Sequence, residues 1–423
     1  MIRPRRFAVL LAVALTTAAC GSPTPSMSPS PSASAVASAA PSATAAPSAA
    51  ATGSVRPSRT YAEINAQVQA IRGLDEKTPI EPDIVSPAEL ATVIRASFDH
   101  DYPPDQVAAD QALYRALGLI GPDVKLADVF VDLLESQVAG LYDPVAKKLY
   151  VVSKAGGVGP VEQVFYSHEY DHALQDQHFG LQRLQEGLRG QSDTLLAHQA
   201  LVEGDAYVLM TYWLQQNLDA SEIQQVIAAS GDPEALAALQ RIPPIVQAQI
   251  LFAATQGTQF VLGQQIAGGW PVIDKDFAEP PATTEQVLHP EKYDAREPAV
   301  AVPLPTGLAT KMGAGWSVAT EDTFGEHQIG IWLAAAPDAA AGWGGDRLTL
   351  LQGPKNAWAL AWRTAWDTAA DAADFETAAA KAVAKAGGPG QVLPGEGGTT
   401  RWVVIGSDAA ALGKIAGILG LAG

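Results

Sequence analysis

The chain has one cysteine among its 423 residues, Cys20, so no disulfide can form within it. A structural zinc site built on several cysteines is excluded on the same ground. Histidine is scarce too, with seven in the chain, so a pair at a meaningful spacing does not arise easily by chance. Basic residues are outnumbered, 27 Lys and Arg against 45 Asp and Glu. A formal charge of −18 argues against nucleic acid or an anionic lipid surface as an electrostatic partner. The apolar run from Phe7 to Leu15 is too short to cross a bilayer as a stable helix.

That run belongs to "MIRPRRFAVLLAVALTTAAC", which has a basic start (Arg3, Arg5, Arg6), an apolar middle and small residues before Cys20. This is the layout of an export signal. Thr17-Ala18-Ala19-Cys20 resembles the bacterial lipobox, with Thr17 where Leu is more usual. The expectation is cleavage before Cys20 and lipidation of that residue, giving a membrane-anchored protein that faces outside the cytoplasm. Plain secretion is the alternative. Residues 21–55 carry no charge and are nearly all Ser, Pro, Ala, Thr and Gly. Such a stretch buries too little apolar surface to offset its ordering entropy and reads as a disordered tether. Without the three leader arginines the charge balance falls to −21.

The folded body is expected from about residue 56, as an α+β protein: a helix-rich part with a small β-hairpin over 56–300, then an α+β part over 301–423. Apolar spacing with a 3.6 period predicts helices over 58–74 and 86–102, the second opening on Ser86-Pro87. Further helices are expected at 103–118 and 125–138. "VAGLY" and "KLYVV" flank Asp143-Pro144 and predict a hairpin over 137–153. Helices at 161–179, 191–217 and within 220–266 follow. Beyond 300, "AVPLP", "HQIGIWLAA", "RLTLLQG", "AWALAWRTAW" and "RWVVIG" read as strands, between Ala-rich helices at 336–342, 368–386 and 408–420. Trp316, Trp332, Trp343, Trp358, Trp362, Trp366 and Trp402 are expected in the core rather than as ligand platforms.

Within the 161–179 helix stands His168-Glu169-Tyr170-Asp171-His172, an H-E-x-x-H string. Residues four apart on a helix are about 40° apart around its axis, so His168 and His172 share a face. Two imidazoles on one face suit Zn²⁺, and Glu169, one residue on, stands beside the metal's open position as a base.

A third ligand is needed. His178 has the spacing of the metzincin pattern, but that pattern turns the chain at a glycine and Gln175 stands there instead. A continuing helix carries His178 about 9 Å beyond His172 and onto another face, so it is rejected. His198 is a weaker candidate than Glu203, a carboxylate in the otherwise apolar "LLAHQALVEGDAYVLM" on the following helix, which is the gluzincin arrangement. Asp176, four residues after His172, is a candidate to orient an imidazole N–H, a surface role being the alternative. For the donor that steadies the oxyanion of a hydrolytic reaction, His289 and Tyr207 are the candidates, neither favoured. A turn residue before Pro290 is an equal reading of His289.

"HEYDHALQDQHF", "LVEGDA" and the upstream "GLYDPVAKKLYV" together resemble a group of exported bacterial metallopeptidases of the gluzincin, or thermolysin-like, clan. "TTEQVLHPEKY" (283–293) and "GWGGDR" (342–347) extend the resemblance over most of residues 60–375. It implies a zincin catalytic domain with His168, His172 and Glu203 on zinc and Glu169 as base. Asp171 departs from the group, where Thr or Ala is expected, and is expected to point to solvent.

The resulting expectation is an anchored, extracytoplasmic zinc peptidase acting on a peptide or protein substrate. The hairpin ahead of the motif is expected either to receive an extended substrate along its edge or merely to close a sheet. The alternative is a zincin-fold surface lipoprotein that binds a ligand or partner without turnover, against which an intact Glu169 argues. A purely structural zinc site is the weakest reading, since such sites favour cysteine.

Overall fold

A computed structural model describes residues 59–130, 140–152, 158–230, 237 and 240–421. The leader, Cys20, the tether, residues 131–138 of the expected 125–138 helix and the first residues of the expected 137–153 hairpin lie outside the described residues; residues 126–130 are helical.

The helices, in chain order, are α1 (Tyr61–Arg72), α2 (Pro87–Asp101), α3 (Pro104–Leu117), α4 (Pro160–Phe179), α5 (Ser192–Asn217), α6 (Ala220–Ser230) and α7 (Pro244–Gly268). They continue with α8 (Trp270–Ala278), α9 (Thr284–Leu288), α10 (Pro290–Asp294), α11 (Leu308–Met312), α12 (Gly325–Leu333), α13 (Ala369–Val383) and α14 (Ala409–Ile418). The strands are β1 (Pro82–Val85), β2 (Gly140–Asp143), β3 (Lys148–Val152), β4 (Ser317–Asp322), β5 (Trp343–Gln352), β6 (Trp358–Trp366), β7 (Gly390–Pro394) and β8 (Thr400–Gly406). They form two sheets, one of order β1-β3-β2 and one of order β4-β5-β6-β8-β7. The α+β class is as the sequence predicts. Among the described residues no helix is long and apolar enough to cross a membrane.

Local chemistry sets the helix ends. Ser86 and Glu89 make a reciprocal capping box at α2, satisfying two otherwise unpaired amides. In α4, Pro160 occupies the first turn and Gly180, with φ 67°, ends the helix. The predicted hairpin is β2–β3, in antiparallel register with Tyr142 opposite Leu149. Its turn is held by Asp143 Oδ1, which accepts from the amides of Val145 and Ala146. β1 adds in parallel to β3, leaving β2 as one edge of the sheet.

The C-terminal sheet is covered on both faces. Leu348, Leu350, Leu360, Trp362, Val403 and Ile405 pack on one side with Phe375 of α13 and Leu117 of α3. Leu351, Ala359, Ala361, Trp402 and Val404 pack on the other with Ile415 of α14 and Met312 of α11. The alternation is that of strands buried on two sides. The first of these cores contains Tyr102–Phe130 residues and Ile242, Ile245 and Val246, so residue 300 does not separate two cores. Trp332, Trp343, Trp362, Trp366 and Trp402 are buried, and Trp316 and Trp358 partly so, as core residues.

Three expectations for the second half need correction. Residues 327–333 lie in helix α12, not in a strand, because buried Asp346 of β5 accepts from the amides of Phe324 (3.0 Å) and Gly325 (2.9 Å) at the helix start. "AVPLP" forms no strand, having two prolines that lack an N–H for a ladder. The Ala-rich 336–342 stretch is a single 3₁₀ turn, Pro337–Ala340. The short strands β1, β4 and β7 were not predicted.

Helix α5 carries Glu203 and crosses α7 with their backbones in contact. A Cβ on Gly204 would stand 2.2 Å from the carbonyl oxygen of Gly257, and one on Gly257 would stand 2.2 Å from that of Ala200. Both obstacles are backbone and cannot rotate away. Gly204→Ala is therefore expected to cost ~1–3 kcal/mol of stability through overpacking, read from the urea midpoint. An unchanged midpoint would contradict this helix crossing.

Candidate metal centre

Helix α4 runs through the interior, and from Gln163 to Asp176 only Phe165 is not buried. Buried polar groups need partners, and α4 buries Ser167, His168, Glu169, Asp171, His172, Gln175 and Asp176 together. Their partners define the site.

His168 and His172 project from one face, as the spacing predicts, with their Nε2 atoms 3.0 Å apart. Glu203 of α5 faces both: its Oε2 lies 3.5 Å from His168 Nε2 and 3.7 Å from His172 Nε2. A tetrahedral zinc with bonds of about 2.0–2.2 Å has ligand atoms roughly 3.3–3.6 Å apart. The triangle of 3.0, 3.5 and 3.7 Å is of that size, and its donors, two imidazoles and a carboxylate, are zinc ligands by type. Burial pushes the Glu203 carboxyl up, but His172 and His168 beside it outweigh that and hold it well below the usual range. It is thus a carboxylate, as a ligand must be.

Glu169 lies on the adjoining face, where its Oε2 accepts from the Tyr142 amide of β2 at 2.8 Å. That amide points away from β3, so among the described residues the outer edge of the small sheet runs past the carboxylate. Tyr207, one turn beyond Glu203, packs edge-on against the His168 ring at 4.8 Å. Burial, with the charges of Glu203 and Glu169, pushes its phenol well above the ordinary value, so it stays a hydrogen-bond donor.

His289 does not join the cluster. Its Nε2 is 3.0 Å from Glu326 Oε1 of α12, and its loop attaches to the start of α5, where the Thr284 amide bonds Asp193 Oδ1 at 2.9 Å. Asp193 precedes Glu203 by about 15 Å of helix. Nearby, Glu285, Glu297 and Asp367 also converge as a metal site would. There, however, the Lys292 ammonium lies 2.7, 2.9 and 2.7 Å from them and supplies the cation. His178 Nε2 bonds the Asp75 carbonyl at 2.7 Å and His198 Nδ1 bonds that of Leu184, and neither joins the cluster of His168, His172 and Glu203.

The position of Asp176 corrects its expected contact with an imidazole. Its Oδ2 accepts from the Tyr142 hydroxyl (2.9 Å) and pairs with Lys147, while Oδ1 accepts from the Leu181 amide (3.0 Å). It ties the hairpin to α4. The contact expected of it belongs to Gln175, whose Oε1 lies 2.9 Å from His172 Nδ1. Both positions, i+3 and i+4, lie near the histidine's face, so spacing alone does not separate them.

Asp171 is also corrected: it is fully buried, not solvent-facing. Its Oδ2 accepts from Gln175 Nε2 at 3.0 Å. Burial and the neighbouring Asp205 raise its carboxyl well above the usual range, and Arg72 opposes this. Arg72 of α1, itself buried, donates from Nε to Asp205 Oδ1 (2.9 Å) and from Nη1 to Asp274 (2.8 Å). Its guanidinium supplies the countercharge that lets the carboxylates sit inside.

A family model described as a domain of unknown function (DUF8575) matches residues 315–413. The matched stretch runs from before β4 into α14 and contains none of His168, Glu169, His172 and Glu203. No curated protein and no solved structure matches the chain.

Proposed function

We propose that the protein is a zinc-dependent peptidase of the gluzincin type, with His168, His172 and Glu203 as ligands and Glu169 as general base. The observation that carries this reading is the convergence of Glu203, from a separate helix, on the two motif histidines, with Glu169 beside them. When bound, zinc would supply a Lewis acid that lowers the pKa of water to about 7.

The chain's own residues do the rest. Glu169 takes a proton from the attacking water at its carboxylate and returns it to the leaving nitrogen. The Tyr207 phenol is the donor for the developing oxyanion, in preference to His289, because it packs on His168 whereas His289 bonds Glu326. An extended peptide adds along the outer edge of β2, which brings its backbone to Glu169. Zinc, the peptide substrate, the lipid anchor at Cys20 and the extracytoplasmic location all belong to this proposal.

The test is hydrolysis of an unfolded protein by the purified chain, before and after chelation. Cleavage should stop on chelation and return with zinc. Cleavage indifferent to the chelator would refute a metal-dependent reaction. Stoichiometric zinc without cleavage of any substrate would favour the binding lipoprotein instead.

A further inference from the structure

The Gln175 side chain is wholly buried beside His172. The two ends of its amide are told apart only by their neighbours. Around Nε2 stand three acceptors: Asp171 Oδ2 at 3.0 Å, Asp205 Oδ2 at 3.0 Å and the Val202 carbonyl at 3.1 Å. Reversing the amide would set its oxygen against the Val202 carbonyl, which can only accept, and against Asp205 Oδ2, which already accepts from Arg72 Nε at 3.2 Å, so the NH₂ group must point there. Oε1 then faces His172 Nδ1 at 2.9 Å. An amide oxygen only accepts, so His172 Nδ1 carries a proton, and in the neutral ring Nε2 keeps its lone pair.

We infer that Gln175 is a positioning residue, which fixes His172 in the Nδ1–H tautomer with Nε2 turned toward His168 and Glu203. A metal-bound histidine ordinarily hands its other N–H to a carboxylate, a carbonyl or water. Here two carboxylates already occupy the interior, and a third against them would be repelled. The amide resolves this, because its oxygen serves the imidazole while its NH₂ serves Asp171 and Asp205. Arg72 anchors Asp205 from the far side, through Nε at 2.9 Å, so the chain His172–Gln175–Asp205–Arg72 reaches from the site to α1. His168 has no such support, since its buried Nδ1 has no hydrogen-bond partner among the described residues. The two ligands are therefore unequal: His172 is preset and His168 is not.

The geometry stands by itself, whereas its consequence for metal affinity rests on the zinc reading above. Two measurements separate them. Nitrogen-15 NMR of the histidine-labelled, chelator-treated chain, assigned with His172→Ala, should show His172 protonated at Nδ1; protonation at Nε2 would overturn the inference whether or not zinc binds. By chelator competition, Gln175→Leu should bind zinc about 10–100-fold more weakly with unchanged circular dichroism. A folded Gln175→Leu with the parent's affinity would overturn the positioning role. If Gln175→Leu does not fold, the tautomer of the unaltered chain decides. An Nδ1–H tautomer in a chain that takes up no zinc would uphold the orientation of His172 and refute only the zinc reading.

Discussion

Glu169→Gln is expected to keep the metal and to slow peptide hydrolysis by about 10²–10⁴-fold, the usual contribution of a general base. The carboxamide has the shape of the carboxylate, and its oxygen can still accept the Tyr142 amide that now bonds Oε2 at 2.8 Å. The hairpin edge should therefore stay in place, and substrate should still bind. What the amide cannot do is take a proton. The signature is a fall in kcat with KM little changed and zinc content the same. A variant that cleaves at the parent rate would remove Glu169 from the chemistry, and one that loses zinc would make it structural.

Arg72→Leu should be the most destabilising of the substitutions considered, at ~3–5 kcal/mol, because it breaks a buried ion pair from one side only. The guanidinium is wholly buried, bonded to Asp205 and Asp274, and stacked 4.7 Å from the Trp270 ring. Burial alone would make its charge costly, and the nearby Asp205, Asp171 and Asp274 more than offset that, raising its pKa. Removing it leaves Asp171 and Asp205 facing each other in the interior without a countercharge. Arg72→Lys should recover only part of the loss, since one ammonium cannot reproduce the two-sided fork or the stacking. The urea midpoint reads both. A small change for Arg72→Leu would mean that the carboxylates relax to neutrality at little cost.

The part of the site readable from sequence is the part that depends on one helix at a time. H-E-x-x-H fixes a face by helical geometry alone, and Glu203 stands out as a carboxylate in an apolar run. The polar support was not readable in the same way. Asp171 looks like a solvent residue until Arg72 is placed beside it, and Arg72 meets its partner Asp205 across 133 residues of chain. Gln175 and Asp176 are both placed near His172 by the helix, and only the hairpin's claim on Asp176 through Tyr142 and Lys147 separates them.

The fold divides along similar lines. Long amphipathic helices and the central strands β5, β6 and β8 carry clear periodicities. Edge strands do not: β4, "SVATED", is largely exposed and polar, and β1 has four residues. The apolar run in 327–335 fits a buried helix as well as a buried strand. The Asp346 carboxylate that starts the helix comes from β5, beyond any local pattern.

In the proposed enzyme three side chains from two helices hold the zinc. The most direct measurement is zinc per chain after metal-replete purification and desalting, for the parent and for Glu203→Ala. One zinc in the parent and little in Glu203→Ala is the predicted result. A parent without zinc, or a Glu203→Ala chain that holds it as firmly as the parent, would contradict the account.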